Sequence, residues 1–132
     1  MARTTQRIGP FTLGSGGANQ SEATATAFEI PEDGNFWVQI IIDGGTYQTA
    51  PTDTPVGSWQ FWLQSDETVP YARYTAAETG SNSLAGVVPA ANTLVNGYAN
   101  FERMPGRKGK IVYARTSGGT ASRATIIVGR GR

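Results

Sequence analysis

The sequence predicts an all-β protein, a single-domain jelly roll or β-sandwich of about eight antiparallel strands with an N-terminal arm. A chain of 132 residues is the size of one domain. Its 17 Gly and 7 Pro separate short runs in which apolar and polar residues alternate. No stretch has the apolar stripe of an amphipathic helix. A jelly roll is the most natural form of eight strands, and an immunoglobulin-like sandwich is the alternative.

The N-terminal segment, residues 1–21, is expected to form an arm in front of a sandwich over residues 22–132. Ile8 and Phe11 offer a short apolar anchor, and the Gly-rich segment 14–20 follows as a flexible hinge. Such an arm could reach a neighbouring subunit, so that Ile8 and Phe11 are candidate interface residues. The alternative is a frayed chain terminus.

Five runs in the first part of the sandwich are predicted as strands: residues 22–30, 36–42, 46–49, 58–64 and 68–74. The run 36–42 is the most hydrophobic and is expected at the centre of a sheet. The sequence Asp-Gly-Gly at 43–45 predicts a hairpin turn that leads into residues 46–49. Alternation in the fourth run puts Trp59 on the core face and Trp62 on the opposite face. Trp62 is therefore a candidate interface anchor.

The second part of the chain is predicted to close the sandwich. Residues 84–88 and 93–101 are weaker strands, because a proline or a glycine interrupts them. Residues 110–116 and 121–128 are predicted to pair as a hairpin around the two glycines 118–119. One face of this pair would then be apolar and carry five residues: Ile111, Tyr113, Ala124, Ile126 and Val128.

The composition argues against an enzyme. The chain has no Cys and no His, which excludes disulfides, thiolate nucleophiles, Ser–His–Asp triads and Cys-type zinc sites. The adjacent acids Glu32-Asp33 and Asp66-Glu67 diverge on extended chain, so that neither pair makes a general acid and base. Both are better explained as turn formers. We expect no catalytic residues, no cofactor and no metal site.

Charge is segregated along the chain, although the net charge is only +1. Residues 8–72 contain eight acids and no Lys or Arg, whereas residues 103–132 contain eight bases and no acid. Such asymmetry bears on partners rather than on fold. Five cations with no acid near them in sequence are candidate interface residues: Arg107, Lys108, Lys110, Arg130 and Arg132. We expect them to meet an acidic neighbour, most naturally another protein subunit.

A second interpretation of the same charges involves no partner. The segment 105–110 could be a solvated hairpin tip, and the acids and bases could neutralise one another across a sheet. Under the second possibility, Arg115 or Arg123 would pair with one of three acids: Glu22, Glu29 or Asp43.

The layout resembles the head decoration (cement) proteins of tailed bacteriophages, small virion proteins with a jelly-roll or β-sandwich fold. The resemblance extends over residues 22–132 together with the preceding Gly-rich arm. Its elements are Gly14–Gln20, the Trp-rich strand Trp59-Gln60-Phe61-Trp62-Leu63 and the closing strands 111–116 and 121–128. It implies a non-enzymatic protein, made in the host cytoplasm, that binds the outside of the capsid and stabilises the lattice. The implied partners are the major capsid protein and further copies of the chain, in a dimer or trimer.

Other functions make different demands on the sequence. A carbohydrate- or receptor-binding module of a phage tail or fibre would need at least two of four aromatics exposed together: Trp37, Trp59, Trp62 and Tyr74. A nucleic-acid-binding protein would use the basic C-terminal third, but the acids of residues 22–67 argue against it. No membrane partner is expected, because the longest apolar stretch, residues 38–42, is too short to cross a bilayer.

Overall fold

The computed structural model describes residues 4–80 and 82–130, which form two antiparallel four-stranded sheets. Sheet A consists, in spatial order, of β1 (Thr4–Thr12), β8 (Arg123–Arg130), β3 (Phe36–Asp43) and β6 (Val95–Phe101). Sheet B consists of β2 (Ala27–Glu29), β7 (Lys108–Ser117), β4 (Val56–Gln64) and β5 (Ala72–Arg73). Two 3₁₀ turns, Thr75–Ala77 and Leu84–Gly86, connect β5 to β6. Within the described ranges, no helix has the length and apolar character needed to cross a membrane.

The pairing of the strands defines a jelly roll. β1 pairs with β8, β2 with β7, β3 with β6 and β4 with β5, so that the chain is one long hairpin folded between β4 and β5. Rolling this hairpin up adds the β3–β8 and β4–β7 pairings and produces two sheets packed face to face. The predicted fold class is confirmed. The immunoglobulin-like alternative has a different strand order.

The core lies between the two sheets and is rich in aromatic rings. The inward residues of β3, namely Val38, Ile40 and Ile42, are fully buried, as expected for an interior strand. The inward residues of β4 are buried as the alternation predicts: Trp59, Phe61 and Leu63. Four rings pack at the centre with neighbouring centroids 5.1–6.3 Å apart: Phe28, Phe36, Phe61 and Phe101. Such tilted and offset contacts favour one packing arrangement beyond what burial alone requires.

Residues 4–12, expected in an N-terminal arm, instead form an edge strand of sheet A. Ile8 and Phe11 are only 3% and 7% exposed and belong to the core, so they are not available as anchors on a neighbouring subunit. A bulge lies between them, because three steps along β1 correspond to two along β8. The extra residue lets two side chains of opposite parity both face inward.

The Gly-rich segment 14–20, expected as a hinge, is hydrogen-bonded to the sandwich. Asn19 is buried, and its side chain donates to the Ile111 carbonyl at 3.0 Å. Its own carbonyl accepts from the Tyr113 amide at 2.8 Å, so that Asn19 extends the edge of β7. Leu13, at the start of the segment, is fully buried. The expected boundary between residues 21 and 22 is therefore not visible in the fold, and the sandwich begins with β1.

The predicted closing hairpin is wrong in its pairing and right in its buried face. β7 and β8 lie in different sheets, and residues 118–122 cross from one sheet to the other. The five residues expected on one apolar face are all buried, but they face one another across the core instead of along a shared ladder: Ile111, Tyr113, Ala124, Ile126 and Val128. Alternation reports which side chains are buried, and it does not report which strand is the neighbour.

Two further predicted strands are turns. Residues 46–49 form a tight turn in which the Thr49 amide donates to the Thr46 carbonyl at 3.0 Å. Gln48 has a φ of 62°, which an extended strand does not accommodate. Residues 84–86 form a 3₁₀ turn whose preceding residue, Ser83, accepts a hydrogen bond from the Ala85 amide at 3.2 Å. Local hydrogen bonds of this kind compete with a sheet ladder.

Candidate interaction surfaces

The predicted anchor Trp62 lies on the outer face of sheet B, in register with Lys110 of β7 and Arg73 of β5. Its indole is half-buried and donates to the Gln60 side chain at 3.1 Å. The structure thus brings two of the predicted interface residues, Trp62 and Lys110, side by side on one sheet face.

Lys110 is already neutralised within the chain. Its ammonium is 3.2 Å from the Glu22 carboxylate, donates to the Glu22 carbonyl at 2.9 Å, and lies 4.2 Å from the centre of the Tyr71 ring. This cation–π and ion-pair arrangement holds the ammonium against its own sheet. The expectation that Lys110 is free to meet an acidic neighbour is not met, because folding supplies an acid 88 residues away in sequence.

Arg73 closes the same face with an ion pair to Glu78. The guanidinium and carboxylate are joined by two hydrogen bonds of 2.5 and 2.6 Å. Glu78 also accepts from the Phe61 amide at 2.8 Å and so satisfies the edge of β4 where β5 is too short to pair. Burial opposes ionisation of Glu78, but the hydrogen bonds from Arg73 and Phe61 hold its pKa below its usual range.

The basic segment 107–110 is not a hairpin tip: Arg107 ends the loop after β6, and Lys108 begins β7. The Arg107 amide donates to the Gln64 carbonyl at 2.8 Å, and its carbonyl accepts from the Ile30 amide at 2.9 Å. Hydrogen bonds from Thr68 lower the pKa of Asp66, and the positive charge of the exposed Arg107 side chain adds to this effect. Lys108 is directly opposite Glu29 across the β2–β7 pair. Acids therefore lie near both cations once the chain is folded.

Arg123 and Arg130 differ in their surroundings. Arg123 pairs with the buried Asp43 at 2.6 Å, as the alternative of internal neutralisation allows. Arg130 is exposed at the end of β8 and donates to the Thr4 hydroxyl at 3.0 Å. Arg132 lies outside the described residues. Two of the C-terminal bases thus form ion pairs with acids from the first part of the chain: Lys110 and Arg123.

The two ends of the sandwich have loops of different chemistry. The strand registers place three loops at one end, which we call the apolar end: residues 44–55, 88–94 and 118–122. They place three others at the opposite end, which we call the charged end: residues 30–35, 65–71 and 102–107. The loops of the charged end contain seven charged residues: Glu32, Asp33, Asp66, Glu67, Glu102, Arg103 and Arg107. Those of the apolar end contain one, Asp53.

The apolar end exposes large hydrophobic side chains. Tyr47 and Val88 are 68% and 65% exposed. Leu94 and Val56, the first residue of β4, are also exposed. Exposed apolar side chains in neighbouring loops are candidates for contact with a partner. The predictions from sequence missed this end, although the lack of charge in residues 44–52 and 88–94 was a readable signal.

Hydrogen bonds between the loops fix the shape of the apolar end. The Asn92 amide donates to the Pro51 carbonyl at 2.7 Å, and the Ala91 amide donates to the Thr54 hydroxyl at 2.9 Å. These bonds join the loop that carries Tyr47 to the loop that carries Val88. Hydrogen bonds between the two loops therefore hold the backbone that carries the exposed side chains.

Asp53 braces the crossover between the sheets. Its carboxylate accepts from the Gly119 amide at 2.8 Å, the Ala121 amide at 3.3 Å and the Ser122 hydroxyl at 2.7 Å. Gly118 and Gly119 have φ of 70° and 91°, which glycine adopts without strain. Burial opposes ionisation of Asp53, but these hydrogen bonds hold its pKa below 3.8. The Asp53 carboxylate therefore binds groups of its own chain.

The titratable groups serve structural roles. Asp53, Asp66 and Glu78, the carboxylates with lowered pKa, each accept hydrogen bonds from backbone amides. Over residues 4–80 and 82–130, no group of three or more Asp or Glu is placed to hold a metal ion.

Comparison with known proteins adds no relative. A scan against protein-family models, a search of curated proteins and a search of solved structures each found no match to this chain. The order and register of the strands by themselves identify the fold.

Proposed function

We propose that this chain is a non-enzymatic virion structural protein, a decoration protein that binds the outside of a phage capsid lattice and stabilises it. The observation that carries the proposal is the apolar end. Its loops contain a single charged residue, Asp53, and expose Tyr47, Val88 and Leu94 on hydrogen-bonded backbone. A rigid surface of this kind is suited to packing against another protein.

Burial of the exposed apolar side chains would supply enough free energy for such docking. Burying one Val or Leu side chain stabilises a contact by about 1.5–3 kcal/mol. A few such side chains would give each copy modest affinity, and a dimer or trimer that engages several sites at once would gain avidity. Further copies of the chain and the major capsid protein are the proposed partners, on the capsid exterior.

Co-sedimentation with empty shells tests the proposal. The shells are assembled from the major capsid protein encoded in the same phage genome, and calorimetry measures their disruption temperature. We expect the protein to sediment with the shells and to raise that temperature. The double variant Val88→Ser, Leu94→Ser should lose at least about tenfold in affinity, which corresponds to about 1.4 kcal/mol.

The matched control is Val69→Ser, which removes an exposed valine from the charged end. It should bind as the unmodified protein does. If the unmodified protein fails to sediment with the shells, or if both variants lose affinity equally, the proposal is overturned.

The alternative function, carbohydrate or receptor binding, loses the aromatic set that the sequence suggested. Trp59 is buried and donates to the Val87 carbonyl at 2.9 Å, and Tyr74 packs against the core. Trp37 and Trp62 lie on the outer faces of opposite sheets. Trp37 does have a different aromatic neighbour, the exposed Tyr98, with ring centroids 6.1 Å apart.

A further inference from the structure

The outer face of sheet A carries aromatic and amide side chains that are exposed or half-exposed among the described residues. Alternation along β3 turns Trp37, Gln39 and Ile41 outward, because Phe36, Val38, Ile40 and Ile42 fill the core. On the neighbouring strand β6, the outward residues are Asn96, Tyr98 and Asn100. Gln39 is directly opposite Tyr98, and Trp37 is directly opposite Asn100. We call these six residues the sheet A platform.

Trp37 lies flat on the backbone of β8. A Cβ atom on its cross-strand neighbour Gly129 would stand only 2.0 Å from the indole Cζ2 and 2.1 Å from Cε2. The ring therefore occupies the space that a side chain at 129 would fill. The indole thus lies against Gly129, and Trp37 is half-buried.

Tyr98 stands beside this indole and is 65% exposed. The two ring centroids are 6.1 Å apart, and the planes make an angle of 53°. The rings thus form a shallow open angle rather than a closed stack. The C–H faces of a sugar ring are apolar and pack on aromatic faces in such a setting.

The adjacent amides supply directional hydrogen bonds. The Gln39 Nε2 donates to the Asn96 Oδ1 at 2.7 Å, which holds the two side chains together. This bond leaves the Gln39 carbonyl oxygen as an acceptor and the Asn96 amide hydrogens as donors. An acceptor and a donor side by side match a pair of neighbouring hydroxyl groups.

The charge of the platform selects the class of ligand. None of its six residues is charged, and the nearest exposed cation in register is Arg7 of β1, two strands from Gln39. At the end of β3, Asp43 and Arg123 neutralise each other in an ion pair. An uncharged surface of aromatic rings and amides is complementary to a neutral polyhydroxylated ligand rather than to nucleic acid or an acidic membrane.

From this geometry we infer that the sheet A platform is a binding site for a neutral saccharide. Trp37 and Tyr98 stack on the sugar ring, and Gln39 and Asn96 bind its hydroxyl groups. The site is independent of the proposed capsid docking, because it lies on a sheet face and the docking surface lies at the apolar end. A decoration protein with both would bind its shell and leave the platform open.

Titration with defined oligosaccharides tests the inference. The probes are the hexasaccharides of cellulose, starch, laminarin and β-1,4-galactan, with a sulfated heparin hexasaccharide as the charged comparison. Binding is followed by calorimetry and by the indole N–H signals in NMR spectra of the full chain. At least one neutral probe should bind with a Kd of about 1 mM or tighter, and Trp37 should give the largest shift among the three tryptophans.

Two exposed tyrosines offer a matched pair of variants. Tyr98→Ala should weaken binding at least about tenfold, whereas Tyr47→Ala, which removes an equally exposed tyrosine from the apolar end, should bind as the unmodified protein does. Asn96→Ala should also weaken binding, since it removes the donor of the amide pair. The apolar-end variant Val88→Ser, Leu94→Ser should retain saccharide binding, so that the two proposals fail separately.

Three results would overturn the inference. One is the absence of any shift with all four neutral probes at about 10 mM. Another is an equal loss in Tyr98→Ala and Tyr47→Ala. The third is a dimer that Tyr98→Ala dissociates, since the platform would then be an interface between two copies of the chain.

Discussion

The apolar end and the charged end of this sandwich are capped by the same number of loops, yet they meet solvent differently. The charged end exposes acids and bases such as Glu32, Asp33 and Arg103. The apolar end exposes Tyr47 and Val88, and its one acid is held by three hydrogen bonds. Charged loops favour hydration, whereas uncharged apolar loops favour contact with another surface. The comparison shows that the loops of the two ends differ in charge, a difference that the order of acids and bases along the chain does not report.

The largest expected effect separates the ends by backbone packing. At the charged end, Gly34 has a φ of 74°, and a Cβ there would lie 2.5 Å from the Met104 amide nitrogen. Gly34→Ala combines backbone strain with a clash against backbone, and should destabilise the fold by about 3 kcal/mol. At the apolar end, Gly45 has a φ of 101° with open space around its Cα. Gly45→Ala carries strain alone and should cost about 1 kcal/mol.

Urea denaturation of the two glycine variants measures this difference. A larger loss in Gly45→Ala than in Gly34→Ala would contradict the expected difference between these two turns.

The next prediction concerns whether the Asp53 carboxylate stabilises the fold. Asp53→Ala leaves the Gly119 and Ala121 amides and the Ser122 hydroxyl without their acceptor. We expect a loss of about 2 kcal/mol, since each lost hydrogen bond of this kind is worth about 1 kcal/mol and the site is partly solvated. Asp66→Ala at the charged end removes an acceptor for Thr68 only and should have a smaller effect. Equal thermal shifts in both variants would contradict this assignment.

Acidification should weaken the hydrogen bonds of Asp53, because it protonates the carboxylate that accepts them. The pKa of folded Asp53 lies below the ordinary value of 3.8, so its contribution to stability is fully present above that pH and is lost as the pH falls through the folded value. Glu78 behaves in the same way relative to 4.5. We expect stability to fall with acid below these values, and Asp53→Asn and Glu78→Gln to flatten the fall. Unfolding free energies measured on both sides of pH 3.8 check the slope.

The smallest effect is expected at the exposed apolar residues themselves. Val88 and Leu94 are exposed, and their replacement by Ser should change the free energy of unfolding by less than about 0.5 kcal/mol. Thermal unfolding of the double variant is the measurement. A large loss would show that these side chains support the fold, and a loss of shell binding in the same variant would then say nothing about docking.

Much of the fold could be predicted from alternation. The burial of Trp59, Phe61 and Leu63, and the interior position of β3, follow from a period of two and from a strongly apolar run. The surface position of Trp62 was predicted in the same way. The position of Ile8 and Phe11 was not, because a bulge changes the period at that point.

The interaction surfaces were harder to predict. The exposed cations Arg107 and Arg130 were identified from charge, but the neutralisation of Lys110 by Glu22 depends on a contact across 88 residues. The apolar end and the sheet A platform each combine residues from separate segments, such as Trp37 and Tyr98. No local pattern reports that kind of proximity.

The sequence by itself determined the all-β class, the inward and outward faces of the principal strands and the absence of cysteine and histidine chemistry. These properties follow from composition and from the local geometry of an extended chain. Only the tertiary structure decided that β7 and β8 belong to different sheets and that β1 pairs with β8. It also decided that acids and bases from distant segments meet, as Glu22 and Lys110 do. The physical reason is that strand neighbours are chosen by long-range hydrogen bonding and core packing, from Thr4 opposite Arg130 onward.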